Sequence, residues 1–137
     1  MATKHNILIT SAGRRVDLVK SFQAELNKYY VNAEVYATDI HPELSAACQS
    51  ADASFTVLSV TDKDYIEELL NLCKRNNIGL VLPTIDTELE LLAKYREPFL
   101  EHGIGIVISS PELISHCIDK RKTKTLFDKI GIHTPAL

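Results

Sequence analysis

Asn6-Ile7-Leu8-Ile9-Thr10-Ser11-Ala12-Gly13-Arg14-Arg15 is the stretch whose reading decides the fold. Asn6–Thr10 is a short, apolar, β-branched run and reads as a strand. Ser11-Ala12-Gly13 is a turn. From Arg14 to Lys28 the apolar residues Leu18, Val19, Phe22 and Leu26 share one face, which predicts a helix lying on a sheet. A strand passing through a glycine turn into an amphipathic helix is the opening of a βαβ unit.

The alternation continues down the chain. Glu34–Thr38, Ser54–Leu58, Gly79–Pro83 and Ile104–Ser109 read as four more strands. A short helix near Glu43–Cys48 follows the second. Thr61 is expected to cap the next helix, with Asp64 three residues on and Ile66, Leu69, Leu70 and Cys73 as its apolar stripe. A helix starting near Thr87 should turn Leu89, Leu92 and Tyr95 inward. Pro98 cannot continue it, because proline cannot donate within a helix interior, so a kink or a fresh turn is expected before Gly103. Pro111 opens a short helix. A last helix, Lys120 to Ile130, should bury Thr123, Leu126, Phe127 and Ile130, with Gly131 just past its end. Five near-continuously apolar strands alternating with helices predict an α/β fold: a doubly wound, five-stranded parallel sheet covered on both faces.

Composition narrows the class. The 137 residues are 45% apolar and 24% charged, enough for one core and unlike coiled-coil, collagen-like or disordered chains. A net charge of −3 gives no general attraction to nucleic acid or membrane, and no apolar run approaches a bilayer span. Cys48, Cys73 and Cys117 are odd in number and scattered, which fits reduced thiols and a cytoplasmic location better than a disulfide framework. Cys48 and Cys117 read as buried small hydrophobes. Cysteines and histidines show no metal-ligand spacing.

In an open parallel sheet, ligands bind beyond the carboxyl ends of the strands. After the first strand, the backbone around Ser11 and Gly13 enters a helix whose N-terminus favours an anion, and Arg14 adds positive charge. The alternative is a plain turn with solvated arginines. Asp39 closes the second strand, as a ribose-binding acid or as the start of a turn before Pro42. Asp86 and Glu88 follow the fourth strand, to orient substrate or to cap a helix. The loop lacks G-x-G-x-x-G and G-x-x-x-x-G-K-[ST] patterns, against a tightly held dinucleotide and a P-loop. Asp119–Lys129 carries five basic and two acidic residues, and Lys120 stands at a helix start, where a positive charge has no local support.

Taken in order, I-L-I-T-S-A-G-R-R-V, Y-A-T-D-I, A-D-A-S-F, D-Y-I-E-E-L-L, L-P-T-I-D-T-E-L-E-L-L-A and D-K-R-K-T-K-T-L-F-D-K-I-G-I-H-T-P resemble the N-terminal (pre-ATP-grasp) domain of ATP-grasp proteins similar to carbamoyl-phosphate synthase large subunit. The resemblance covers nearly the whole chain. It implies an ATP-dependent ligase that phosphorylates a small carboxylate or bicarbonate-like substrate and then lets an amine or other nucleophile attack. It further implies residues 1–111 as a Rossmann-like domain and 112–137 as a linker and first helix leading into an ATP-grasp domain, the partner in cis. Lys120 would bind ATP, and Ser11, Gly13, Arg14, Asp39, Asp86 and Glu88 would hold substrate or an anion. No residue within the chain is assigned to catalysis. The Mg²⁺ ligands would lie beyond Leu137, so the fragment alone is expected to be inactive. A homodimer stays open; nucleic acid and membrane are not expected partners. Two other readings remain: an NAD(P)-binding Rossmann domain, motivated by Gly13 and Asp39, and a stand-alone small-molecule binding module.

Overall fold

The computed structural model describes residues 4–135. Five strands, β1 (Asn6–Thr10), β2 (Val35–Asp39), β3 (Ala53–Thr56), β4 (Ile78–Pro83) and β5 (Gly105–Ile106), form one sheet in the order β3-β2-β1-β4-β5. Every pairing is parallel, so the predicted fold class is met. Helices α1 (Val16–Tyr29), α2 (Ala46–Ser50), α3 (Tyr65–Arg75), α4 (Asp86–Lys94) and α5 (Arg96–Glu101) alternate with the strands. Helices α6 (Pro111–Ile118) and α7 (Lys120–Lys129) follow.

The pleat of β1 divides the core in two. Ile7 and Ile9 join Val19 of α1, Ala47 and Cys48 of α2, and Val35 and Ala37 of β2 on one face. Leu8 points the other way, into a larger cluster with Tyr36, Leu69 and Leu72 of α3, Leu92 of α4 and Phe99 of α5. Burying such side chains contributes about 1.5–3 kcal/mol each, so the two layers fix the sheet and with it the loops at its carboxyl edge.

Several local expectations are corrected. Thr61 does not cap α3. The Ser59 hydroxyl bonds Thr61, the Ser59 carbonyl accepts the Asp62 N–H, and Asp62 accepts the Asp64 and Tyr65 N–H groups. These local bonds compete with helix formation, and α3 starts four residues later. Tyr95 is 38% exposed, while Glu88 is the buried polar residue of α4. The break before Pro98 falls at Tyr95, between α4 and α5. The fifth strand keeps only Gly105 and Ile106 of its expected six residues.

Cys117 is exposed, whereas Cys48 is buried as expected. No residue of α7 is buried and Ile130 is 59% exposed, because α7 packs on α6 and not on the sheet. Its end is as read. Gly131 has φ +77°, and the Ile132 N–H reaches the Phe127 carbonyl at 2.8 Å, a Schellman closure.

Candidate functional site

A cleft of about 560 Å³ opens at the carboxyl edge of the sheet. Ser11 from the turn after β1, the segment 57–61 after β3, Tyr65 at the start of α3, and Thr87, Glu90 and Leu91 of α4 supply its walls. It lies beside β1, where strand order reverses between β2 on one side and β4 on the other, the position at which open α/β sheets take ligands. A wider hollow of about 1060 Å³ lies at the opposite, amino edge, around Lys4, Tyr30 and His102. Size does not decide between the two. Hydroxyls from β1, its turn and α3 meet a buried carboxylate behind the wall of the first.

Glu88 is the centre of that convergence. It is fully buried on the inward side of α4. Thr10 Oγ1 donates to its Oε2 at 2.7 Å, the Tyr65 hydroxyl donates to Oε1 at 3.1 Å, and Ser11 Oγ donates to the same Oε1. Among the described residues, none of the ion pairs involves Glu88. Three hydroxyl donors stand where a buried carboxylate ordinarily has a cation, and hydrogen bonds to a charged acceptor contribute about 1.5–3 kcal/mol each. Burial first, then the neighbouring Glu88 carboxylate, pushes the Tyr65 phenol far above its ordinary range, which keeps it a donor.

The turn after β1 is held from three sides. Ser11 has φ +48°, a left-handed conformation that costs a residue with a Cβ about 1–2 kcal/mol. Glu88 holds its side chain, and Thr84 Oγ1 lies 2.8 Å from its carbonyl and 2.9 Å from that of Thr10. Gly13, at φ +53°, supplies the second left-handed position without that penalty. Arg15 Nη2 reaches the Thr84 carbonyl at 2.7 Å and ties this turn to the one after β4.

The predicted residues fall into three groups. Ser11 and Glu88 are bonded to each other, though Glu88 lies behind the cleft wall and not in it. Gly13 and Asp39 are also joined. The Gly13 N–H expected to face an anion donates to Asp39 Oδ2 at 3.2 Å, and Oδ1 accepts the His41 N–H at 3.2 Å. Asp39 therefore makes the turn before Pro42 and braces the first loop with the same carboxylate. Arg14, Asp86 and Lys120 are exposed. Asp86 opens α4 beside the cleft residue Thr87; Arg14 lies on the outside of the turn, and Lys120 lies on α7.

Around Lys120, Arg121 pairs with Asp119 and Lys124 with Asp128, and Arg121 holds the Asp119 carboxyl below its usual range. Lys120 has no such partner among the described residues. Tyr65, Thr10, Thr84 and Ser45 were not singled out from the sequence. A signal existed for Glu88, four residues before the buried Leu92 and so on its face.

Comparisons with known proteins come to the same architecture. The family model described as PylC-like, N-terminal domain, matches residues 7–107. Among curated proteins none matches the sequence. The biotin carboxylase domain of a single-chain bacterial carboxylase is similar, with 18% identity, a TM-score of 0.60 and coverage of 92% of this chain and 29% of that one. The biotin carboxylase subunit of pyruvate carboxylase gives 17% identity, a TM-score of 0.62, and 93% and 28% coverage. A complete multifunctional pyruvate carboxylase from Rhizobium etli gives 15%, 0.60, and 96% and 13%. At these identities the likeness is one of fold, and the chain spans less than a third of each structure.

Proposed function

Because the chain belongs to the family of PylC-like N-terminal domains, we propose that it is the substrate-side domain of an ATP-dependent ligase of the ATP-grasp type. In this reading ATP phosphorylates a small carboxylate, an amine or other nucleophile attacks the acyl phosphate, and phosphate leaves. The observation that carries it is the family match over residues 7–107 on a chain whose polar side chains converge at the strand-order switch. The carbamoyl-phosphate synthase likeness is one member of that class and has no separate support.

This chain's share of the work is binding and orientation. Ser11 lines the acceptor side with Asp86 beside it, Gly13 and Asp39 brace the loop that presents Ser11, and Arg14, exposed and without a partner among the described residues, is placed to meet an anionic group. Lys120, a cation at the head of α7 without a partner among the described residues, suits the phosphates of ATP bound with a domain in cis. Among the described residues no group of three or more His, Cys, Asp and Glu side chains is placed to hold a metal, so Mg²⁺ would be held by other residues. No helix among them is long and apolar enough to cross a membrane. A dinucleotide reading has less support, since both carboxylate oxygens of Asp39 already accept backbone N–H groups.

The test is ADP release by the protein joined to its ATP-grasp partner domain, with small carboxylates and amines offered singly and in pairs. Turnover requiring both is expected. Lys120→Ala should raise KM for ATP, and Arg14→Ala should impair acceptor use more than ATP use. Absence of ATP turnover across the panel, with NAD(P) binding to the chain, would overturn the reading.

A further inference from the structure

We infer that Glu88 turns the Ser11 side of the cleft into a hydrogen-bond acceptor surface, so that the ligand group seated there is a cationic donor, a primary ammonium. The inference rests on the cleft being the ligand site, as proposed above, and adds the polarity that it reads. A serine hydroxyl has one proton. Ser11 donates its proton to Glu88 Oε1, so only lone pairs remain for a ligand. Tyr65 and Thr10 are committed to the same carboxylate as donors, and no hydroxyl of this network can turn outward without leaving the buried charge short of a partner.

The charge itself points the same way. Glu88 is fully buried and, among the described residues, is hydrogen-bonded by neutral hydroxyls only, so the field of its ionised form would reach the cleft through a low-dielectric wall where it is weakly screened. Glu90 adds a second acid to the lining. The lining cation, Lys94, extends over the Tyr95 ring with its ammonium 5.3 Å from the ring centre. An anion at Ser11 would meet lone pairs backed by a carboxylate, and the Gly13 N–H that could have drawn it is already filled by Asp39.

The experiment titrates the ¹⁵N-labelled chain with n-butylammonium, n-butanol and butyrate, following the amide resonances of Ser11, Thr87 and Leu91. Butylammonium should shift them saturably and butyrate should not. Glu88→Gln, which keeps the shape but removes the charge and replaces one of the two acceptor oxygens by a donor, should weaken butylammonium about tenfold, or 1.4 kcal/mol. Ser11→Ala leaves the carboxylate in place and should weaken it about threefold, which covers the case in which the Glu88→Gln chain fails to fold. Butyrate binding as tightly as butylammonium would overturn the polarity, as would unchanged ammonium affinity in folded Glu88→Gln or in Ser11→Ala. Cleft amides unmoved by all three probes would overturn the site itself, an outcome separate from any failure of ATP turnover.

Discussion

Gly79→Ala tests the register that delivers the cleft residues. Asn6 and Ile7 are consecutive on β1, yet their partners on β4 are Ile78 and Leu80, so Gly79 is the extra residue of a bulge. The backbone of Lys4 crosses directly over it. A Cβ built on Gly79 would lie 2.1 Å from the Lys4 carbonyl oxygen and 2.9 Å from its carbon, separations that no rotamer change relieves, because both atoms are backbone. The least costly escape is for the chain before β1 to lift away. That movement breaks the Lys4 Nζ bond to the His102 carbonyl and the His5–Tyr30 ring stack, and it strains the Asn6 Nδ2 bond to the Asn76 carbonyl. At about 0.5–1.5 kcal/mol for each hydrogen bond or ring pair, the expected loss is about 2 kcal/mol, a fall in Tm of about 7 °C for a domain of this size. Gly105→Ala is the control, since its Cβ would meet the flexible Leu80 Cδ1 at 3.4 Å and the Gly79 carbonyl oxygen at 3.7 Å, both ordinary contacts, and it should stay within about 0.5 kcal/mol. Thermal and urea unfolding, read side by side, decide. Equal stabilities of the two variants would refute the argument from backbone contact.

Three other outcomes are expected. Ser45→Ala should cost about 1–2 kcal/mol in urea unfolding, because this buried hydroxyl caps α2 through the Cys48 N–H and donates to the Gly13 carbonyl at 2.7 Å. Native thiol titration with an aromatic disulfide should modify Cys117 rapidly and leave Cys48 and Cys73 until the chain unfolds; three fast thiols would contradict the packing of α2 and α3. Burial lifts the Cys73 thiol from 9.0 to about 12. The unfolded chain then loses that proton first, so the contribution is complete below about pH 9 and is lost as pH rises through about 12. Cys73→Ala should flatten the alkaline limb of the stability profile.

The fold was legible because each strand is a local apolar run and each covering helix a local stripe, so periodicity alone reports them. Edges were less so. Thr61 satisfied the pattern of a cap, but Ser59 and Asp62 offered nearer partners to the same backbone groups. Ile130 kept a helical stripe on α7 although the surface that α7 chiefly meets is α6. That a cleft would open at the carboxyl edge was readable from topology. The internal wiring of the loops there was not: the Asp39–Gly13 bond spans 26 residues and the Glu88–Ser11 bond 77, and such pairings depend on the strand order that folding creates. Spacing from Leu92 places Glu88 on the inward face and its residue type argues for solvent; its burial follows from three hydroxyls that arrive from β1, its turn and α3.

Thr38 shows why this edge of the sheet is costly to keep polar. Ile9 pairs with Ala37 across β1 and β2, so Thr10 and Thr38 are next in line on the face that carries Leu8 and Tyr36. Both are fully buried. Thr10 has Glu88 as its acceptor, but the Thr38 hydroxyl has no partner among the described residues, and leaving such a group unpaired costs about 1–3 kcal/mol. Valine has the same shape without the hydroxyl, so Thr38→Val should stabilise the chain by about 1 kcal/mol, read as a rise in Tm. A fall would mean that the Thr38 hydroxyl is bonded and belongs to the network. If stability rises, a more stable residue was available at this buried position and was not used. Packing then does not explain the hydroxyl at Thr38, the one member of the row of Thr10, Thr38 and Glu88 left without a partner among the described residues.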